Sequence, residues 1–504
     1  MRNRTNGQNN NGFMQQIIIV VAALLIFAGC AHINNPKSPK DEFRNSVVRI
    51  SSTTQTPYFY SPWIWRPPQR INGEGIVVGK DLVLTLASVV RNATLIELTM
   101  GTEPMPTQMK VVAINSDANI ALLKGKLPPN AKPIKIPHSS KFIRSGKLNL
   151  YWKTSNGMMI EGNALLDRVE TKYNFDSLQA ISMLKAVKST HPNIGLGIPV
   201  FDNNNNFFGL AIKGGGDYNF YILTCDTINR ALDIKKATKK EPTAIAGFTA
   251  KPLTQVYYRQ KLGLTEDNGG CLISKVFGQG SGSDQLKKGD VLLSICGHKL
   301  DAWGKYKHPD FGQLSYTHLF SEHYITEKFP VTIMRDKKKI ELNLKLSSIN
   351  DSKWLIPGNS EMKETKYIIR GGFIFIPFTK TYLNEWGGNF INKAPMSLVA
   401  IYNDKRYEIK TPEKQEYVLI SRVLSHPTNI GLQNINNMII EEVNGKPIKN
   451  IEELAEILNN PENDTLKLKL SSGKIPLWLS KKVLKSADNE IMEHYGIHSL
   501  QNLN

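Results

Sequence analysis

The stretch His191-Pro-Asn-Ile-Gly-Leu-Gly-Ile-Pro199-Val-Phe, followed by Asp202-Asn-Asn-Asn-Asn206 and Phe207-Phe-Gly-Leu-Ala-Ile212, reads as a tight glycine loop feeding a β-hairpin. Such a loop could present a nucleophile. An attacking hydroxyl or thiol needs a base to take its proton and a carboxylate to orient that base. Here Leu196 stands between Gly195 and Gly197, and there is no Ser, Thr or Cys from His191 to Leu223. No histidine occurs between His32 and His138, so the preceding segment supplies no imidazole. His191 with Ser189 or Thr190 is the remaining local pairing, but adjacent residues of one strand point to opposite faces.

The elements that must position this loop are strands. Ser46–Ile50, Gly73–Val78, Leu82–Val90, Ile96–Thr99, Met109–Ile114 and Asn119–Leu123 are short apolar runs punctuated by Gly, Pro and Asn. This spacing predicts a barrel or sandwich. Pro57-Tyr-Phe-Tyr-Ser-Pro-Trp-Ile-Trp-Arg-Pro67 between them reads as an aromatic loop. With 504 residues, 41% hydrophobic and 21% charged, the chain has room for about three globular domains. The net charge of +19 favours anionic partners such as nucleic acid or a phospholipid surface. The cations are spread along the chain rather than condensed in a tract, which reads as a solvated basic surface and argues against a nucleic-acid partner.

Three segments resemble the HtrA/Deg serine proteases. Gly73-Glu74-Gly75-Ile76, Leu84-Thr85-Leu86-Ala87-Ser88-Val89-Val90 and Asn119-Ile120-Ala121-Leu122-Leu123 stand in the order and strand context of that family's Gly-Ser-Gly, Leu-Thr-x-x-His-Val-Val and Asp-Leu-Ala-Leu-Leu motifs. The resemblance implies a trypsin-like double β-barrel over residues 43–235. It places the triad at Ser88, Asn119 and Leu196, none of which can play the matching role, and Ile198 replaces an oxyanion-hole glycine. Oxyanion stabilisation alone retains roughly 10³–10⁴-fold over water. The expectation is a pseudoprotease with no catalytic residues.

Residues 236–243 turn charged and read as a linker. Beyond it the chain repeats itself: Gly247-Phe-Thr-Ala-Lys-Pro252-Leu-Thr254 matches Gly372-Phe-Ile-Phe-Ile-Pro377-Phe-Thr379, and Gly289-Asp-Val-Leu-Leu parallels Asn437-Met-Ile-Ile-Glu. Both copies resemble PDZ domains, expected over 244–347 and, enlarged, over 348–487, with a tail at 488–504. The whole is thus mainly β, a double barrel followed by two α/β modules. In this resemblance Ile245-Ala246-Gly247-Phe248 and Arg370-Gly371-Gly372-Phe373 stand at the peptide-binding loop, where backbone N–H groups converge on a terminal carboxylate. The enlarged second module and the aromatic loop look most like the plant Deg-type branch. The family's trimers imply that Tyr58, Phe59, Tyr60, Trp63 and Trp65 pack between subunits, although covering the chain's own domain or facing a membrane stay open. Peptide C-termini or unfolded envelope proteins are the implied partners.

At the N-terminus, Arg2 and Arg4 precede a 13-residue apolar run, Ile17 to Gly29, shorter than the ~20 residues of a spanning helix. Phe27-Ala28-Gly29-Cys30 resembles a bacterial lipobox, implying a signal peptide over 1–30, lipidation at Cys30 and a tether over 31–42. Ala31, in place of an inner-membrane retention aspartate, favours the periplasmic face of the outer membrane. The three other cysteines read as buried small hydrophobes. His298, His308, His318, His323 and His426 fall in unrelated contexts, and Gly496 interrupts the pair His494 and His498. No metal or cofactor is called for.

Overall fold

From Val48 onward every second residue of β1 (Val47–Thr54) is buried, the period of a strand with one face in a core. The computed structural model describes residues 42–503 apart from 102–104, 139–145, 174–179, 214–217, 266–268, 359–363, 461–462 and 472–475. The signal segment with Cys30, and all but the last residue of the tether, lie outside the described residues. Asn45–Asn504 is one compact unit. Among the described residues no helix is long and apolar enough to cross a membrane.

β1 joins β2 (Gln69–Val77), β3 (Leu82–Leu86), β4 (Ala93–Thr99), β5 (Thr107–Gln108), β6 (Lys110–Asn115) and β7 (Ile120–Lys124) in an antiparallel sheet ordered β5-β4-β1-β2-β3-β7-β6. A single turn of helix, α1 (Ala87–Val90), follows β3. Six more strands close into a barrel, β10-β13-β12-β11-β8-β9: β8 (Lys147–Lys153), β9 (Met159–Tyr173), β10 (Ala180–Val187), β11 (Pro199–Phe201), β12 (Phe207–Lys213) and β13 (Phe220–Thr224). Its interior holds Leu148, Leu150, Ile194, Ile198, Val200 and Phe208. Helix α2 (Cys225–Ala231) is capped by Thr224, whose side chain accepts the Thr227 N–H. The expected linker is partly ordered instead. Thr238–Lys239 (β15) pairs with Leu232–Asp233 (β14).

The two C-terminal sheets correspond strand for strand. The first runs β16 (Phe248–Lys251), β17 (Cys271–Val276), β18 (Val291–Ile295), β22 (Pro330–Arg335) and β23 (Lys338–Asn343), with β19 (His298–Lys299) on β18. Before β17 lies α3 (Val256–Lys261). A hairpin of β20 (Lys305–His308) and β21 (Gly312–Ser315) leads into α4 (Tyr316–Ser321). In the second, β25 (Phe373–Pro377), β26 (Val418–Val423), β27 (Met438–Val443), β29 (Thr465–Leu470) and β30 (Leu477–Ser480) repeat that order, with β28 (Lys446–Pro447) on β27. The insertion between β25 and β26 contributes α5 (Met396–Lys405). Helix α6 (Ile451–Asn459) packs Ile451, Leu454 and Leu458 inward, as the apolar spacing predicts. The second copy adds two strands beyond β25, namely β24 (Tyr367–Arg370) and β31 (Gln501–Asn502). The expected tail is therefore part of this module. Helix α7 (Lys481–Tyr495) runs through it, and Ile491 and Ile497 are buried in its core.

The aromatic loop packs onto this second module of its own chain. Phe59 is 8% exposed and meets Tyr382 edge-on at 5.6 Å, while Tyr60 and Trp63 pack against the same cluster. Arg66 pairs with Glu385. Tyr58 and Trp65 keep exposed faces. Three of the five residues expected between subunits are thus used within the chain, because the enlarged module offers an apolar socket. Phe59→Ala should cost about 3–4 kcal/mol in urea unfolding. Trp65→Ala should cost about 0.5 kcal/mol or less.

Candidate functional site

The three degenerate positions are assembled around β2. Ser88 N–H donates to Asn119 Oδ1 at 2.8 Å, and Asn119 is held at φ +55°. A Cβ on Gly73 would meet Val89 Cγ2 at 2.6 Å and Leu196 O at 3.1 Å, which fixes glycine there and brings α1 against the 195–198 loop. Glu74 N–H donates to Leu196 O at 2.8 Å. Gly197, at φ +79°, allows that approach, since a Cβ would lie 2.2 Å from Glu74 O. The Ser88 hydroxyl is buried with no hydrogen-bond partner among the described residues. Ser88, Asn119 and the Leu196 carbonyl are thus held about the start of the Gly73–Val77 run, and the Leu196 side chain carries no attacking atom.

Glu74 is the group that sequence reasoning passed over. Its side chain is buried, the residue being 7% exposed, and Oε2 lies 3.3 Å from where a Gly195 Cβ would sit. Burial pushes its carboxyl up to about 7 against the opposing pull of Arg49. An acidic residue inside a Gly-x-Gly strand was the available signal. The pairing of His191 with Ser189 or Thr190 is not built. The Ser189 hydroxyl accepts the His191 N–H at 3.2 Å, the Thr190 hydroxyl accepts the Asn163 N–H at 2.9 Å, and the His191 ring rests on Trp152.

The peptide-binding loops meet different fates. In the first module Gly247 N–H donates to Ser281 O at 2.9 Å and Ile245 N–H to Ser347 O at 3.1 Å. Those two donors are spent within the chain, which removes Ile245 and Gly247 from the carboxylate cradle expected at Ile245–Phe248. The outer edge of β16 carries no further strand among the described residues. In the second module Gly371 N–H donates to Asp488 Oδ1 at 2.9 Å, with Arg370 Nη1 3.6 Å from Oδ2. Arg370–Phe373 does hold a carboxylate, but it is the chain's own. β24 occupies the edge of β25 where a peptide would add. The expectation of a peptide site there is corrected accordingly.

A family model described as PDZ domain matches residues 356–502. Protease Do-like 2, chloroplastic, of Arabidopsis thaliana is 22% identical over 468 residues, 91% of this chain and 74% of that protein. Protease Do-like 4, mitochondrial, from the same organism is 21% identical over 464 residues, 90% of this chain and 84% of that one. The chain carries a PDZ domain and is similar to HtrA/Deg (Do-like) proteases over about 90% of its length. Its seven-stranded sheet and closed barrel have the trypsin-like fold, and its second C-terminal sheet is the matched PDZ domain. The solved HtrA-type protease AlgW with tripeptide is also similar, at 15% identity and TM-score 0.46, over 62% of this chain and 98% of that one.

The fold also gathers histidines that the sequence leaves scattered. His298, His308 and His318 surround Tyr306, whose hydroxyl contacts His318 Nδ1 at 2.5 Å, with the His308 and His318 rings 5.8 Å apart. Burial lowers both imidazoles, His318 to about 4, so they are neutral at physiological pH. His308, His318, Arg230 and Glu322 line a cavity of about 300 Å³ between α2 and α4. Among the described residues no His, Cys, Asp or Glu group is arranged to hold a metal. His494 meets Tyr495 edge-on at 4.8 Å, and Gly496 at φ +63° ends α7 before His498.

Glu74 yields a pH signature. The fold favours its protonated form, so that stabilisation is full below the unfolded carboxyl value near pH 4.5 and is lost as pH rises through about 7. Glu74→Gln should exceed the natural chain in stability by about 3 kcal/mol above pH 7. The two should converge toward pH 4.5 in urea melts. A constant difference across that range would exclude a buried neutral carboxyl.

Proposed function

We propose that the chain is an HtrA/Deg pseudoprotease that binds extended segments of other proteins. The observation that carries this reading is that Ser88 N–H pairs with Asn119 Oδ1 and Leu196 O lies against Gly73, at the positions where the family resemblance expects the triad. A serine nucleophile gains its reactivity from an imidazole base, and neither residue type stands where the centre needs it. The geometry of such a centre persists when it still supports a fold used for binding.

The binding element in this reading is β16. An unpaired strand edge accepts an extended peptide as an added strand through backbone hydrogen bonds. Because Gly247 and Ile245 have spent their N–H groups, recognition falls on the body of an extended segment more than on its terminal carboxylate. The lipobox at Cys30 supports a lipid anchor facing the bacterial periplasm, the outer membrane being favoured. The clients are then exposed segments of envelope proteins, and the role is a scaffold or regulator in their quality control. A homotrimer, as the family resemblance implies, would use surfaces other than Phe59, Tyr60 and Trp63.

The soluble chain 31–504 should leave unfolded casein intact. Ser88→His, Asn119→Asp, Leu196→Ser made together supplies the missing groups for comparison. Extended peptides should bind with a clear sequence preference in fluorescence anisotropy, and amidating their C-termini should change affinity by less than about twofold, far under the 1–3 kcal/mol cost of a lost charged contact. Casein cleavage that disappears in Ser88→Ala or Glu74→Gln would overturn the pseudoprotease reading. Sequence-independent binding would assign a holdase role instead.

A further inference from the structure

Helix α3 buries none of its residues. Val256, Tyr257 and Tyr258 all face outward, Tyr257 being 65% exposed. The helix is nonetheless firmly held. Leu253 and Leu264 on either side of it are buried with Val291, and Arg259 turns inward to donate to Leu253 O at 2.9 Å. Leu253 N–H donates to Ala302 O at 2.8 Å, which ties the start of α3 to the loop carrying Trp303. That indole is 63% exposed, and its loop is set by Asp301 Oδ1, which accepts the N–H groups of Trp303 and Lys305 at 2.9 and 2.8 Å.

Cations surround this aromatic group. Lys261 Nζ lies 5.2 Å from the centre of the Tyr257 ring. At the far end of α3, a Cβ on Gly263 would lie 3.0 Å from Lys337 Cβ. That contact brings in Lys337 of the turn between β22 and β23, with the exposed Lys338 and Lys339 following at the start of β23. Lys305 is exposed beside Trp303. Of the nearby carboxylates, Asp301 is spent on its own loop and Asp336 belongs to the basic turn. The sequence spreads these cations over some 80 positions, and the contacts of Gly263 with Lys337 and of Leu253 with Ala302 bring the basic hairpin and the Trp303 loop to the two ends of α3.

We propose that this face docks on an anionic phospholipid surface. Tyr and Trp side chains settle at the headgroup level, where an apolar ring and a polar tip are both satisfied. Each lysine near an anionic bilayer adds about a fivefold gain in binding. A second copy fits poorly, since a two-fold contact would set like-charged turns against each other. Nucleic acid fits poorly too, because it calls for a continuous cationic track, and here the cations ring an apolar centre. The net charge of +19 acts in the same direction. The inference does not rest on lipidation of Cys30 or on peptide capture at β16.

The test uses the chain 31–504, which lacks Cys30 and keeps the whole compact unit Asn45–Asn504. It is floated with vesicles of phosphatidylcholine mixed with phosphatidylglycerol, and with phosphatidylcholine alone. Binding is expected on the mixed vesicles and should weaken as salt is raised. Lys337→Gln, Lys338→Gln, Lys339→Gln together should reduce it at least roughly tenfold. Tyr257→Ser with Trp303→Ser should also reduce it several-fold. Circular dichroism of both variants should match the natural chain, and their peptide affinity at β16 should be unchanged. Absence of vesicle binding, or binding equal in all three proteins, would overturn the proposal. So would a concentration-dependent dimer abolished by the same substitutions, which would assign the face to a second copy.

Discussion

A strand at the border of a sheet leaves a row of N–H and C=O groups that must be paired, covered or left to water. The two C-terminal modules share one strand order and differ in how they meet this demand. In the second, β24 and β31 cover β25, and the Asp488 carboxylate takes the Gly371 N–H at the turn. In the first, β16 has no such cover among the described residues. Duplication therefore produced one closed and one open copy of the same sheet. The closed copy then serves as a platform, holding the aromatic loop through Phe59 and Tyr382.

The protease-like half follows a similar economy. The Ala87 N–H bonds the Asn119 carbonyl, the Ser88 N–H bonds the Asn119 side-chain oxygen, and the Glu74 N–H bonds the Leu196 carbonyl. The last of these ties the first sheet to the loop that enters the closed barrel. Glu74 lies buried beside the glycine loop, and burial raises its carboxyl to about 7, so its charge changes near neutral pH.

Much of this was legible in the sequence because it depends on local pattern. Alternation in β1, the Gly-x-Gly-x-Pro loop and the repeated Gly-Phe and Gly-Asp-Val-Leu landmarks each encode strands and turns within a few residues. What stayed hidden depends on partners far apart in the chain. No spacing rule announces that Asp488 answers Gly371, that His298, His308 and His318 meet at Tyr306, or that Phe59 enters a core built from residues 355–497. The peptide-binding loops were misread because composition reveals glycines but not whether their N–H groups are already taken.

The socket for Phe59 has a consequence in time. Phe59 meets Tyr382, 323 positions later, and shares its cluster with Ile491 and Ile497 near the end of the chain. Contacts of such long sequence separation form late and slow folding. While the chain is being synthesised or threaded, the aromatic loop has nothing to close on until nearly the last residues arrive. The earlier barrels must hold that loop unsatisfied in the meantime, and a chain that stops short of α7 would carry Phe59, Tyr60 and Trp63 as exposed, adhesive surface. Completion of the fold is thus registered at the beginning of the molecule.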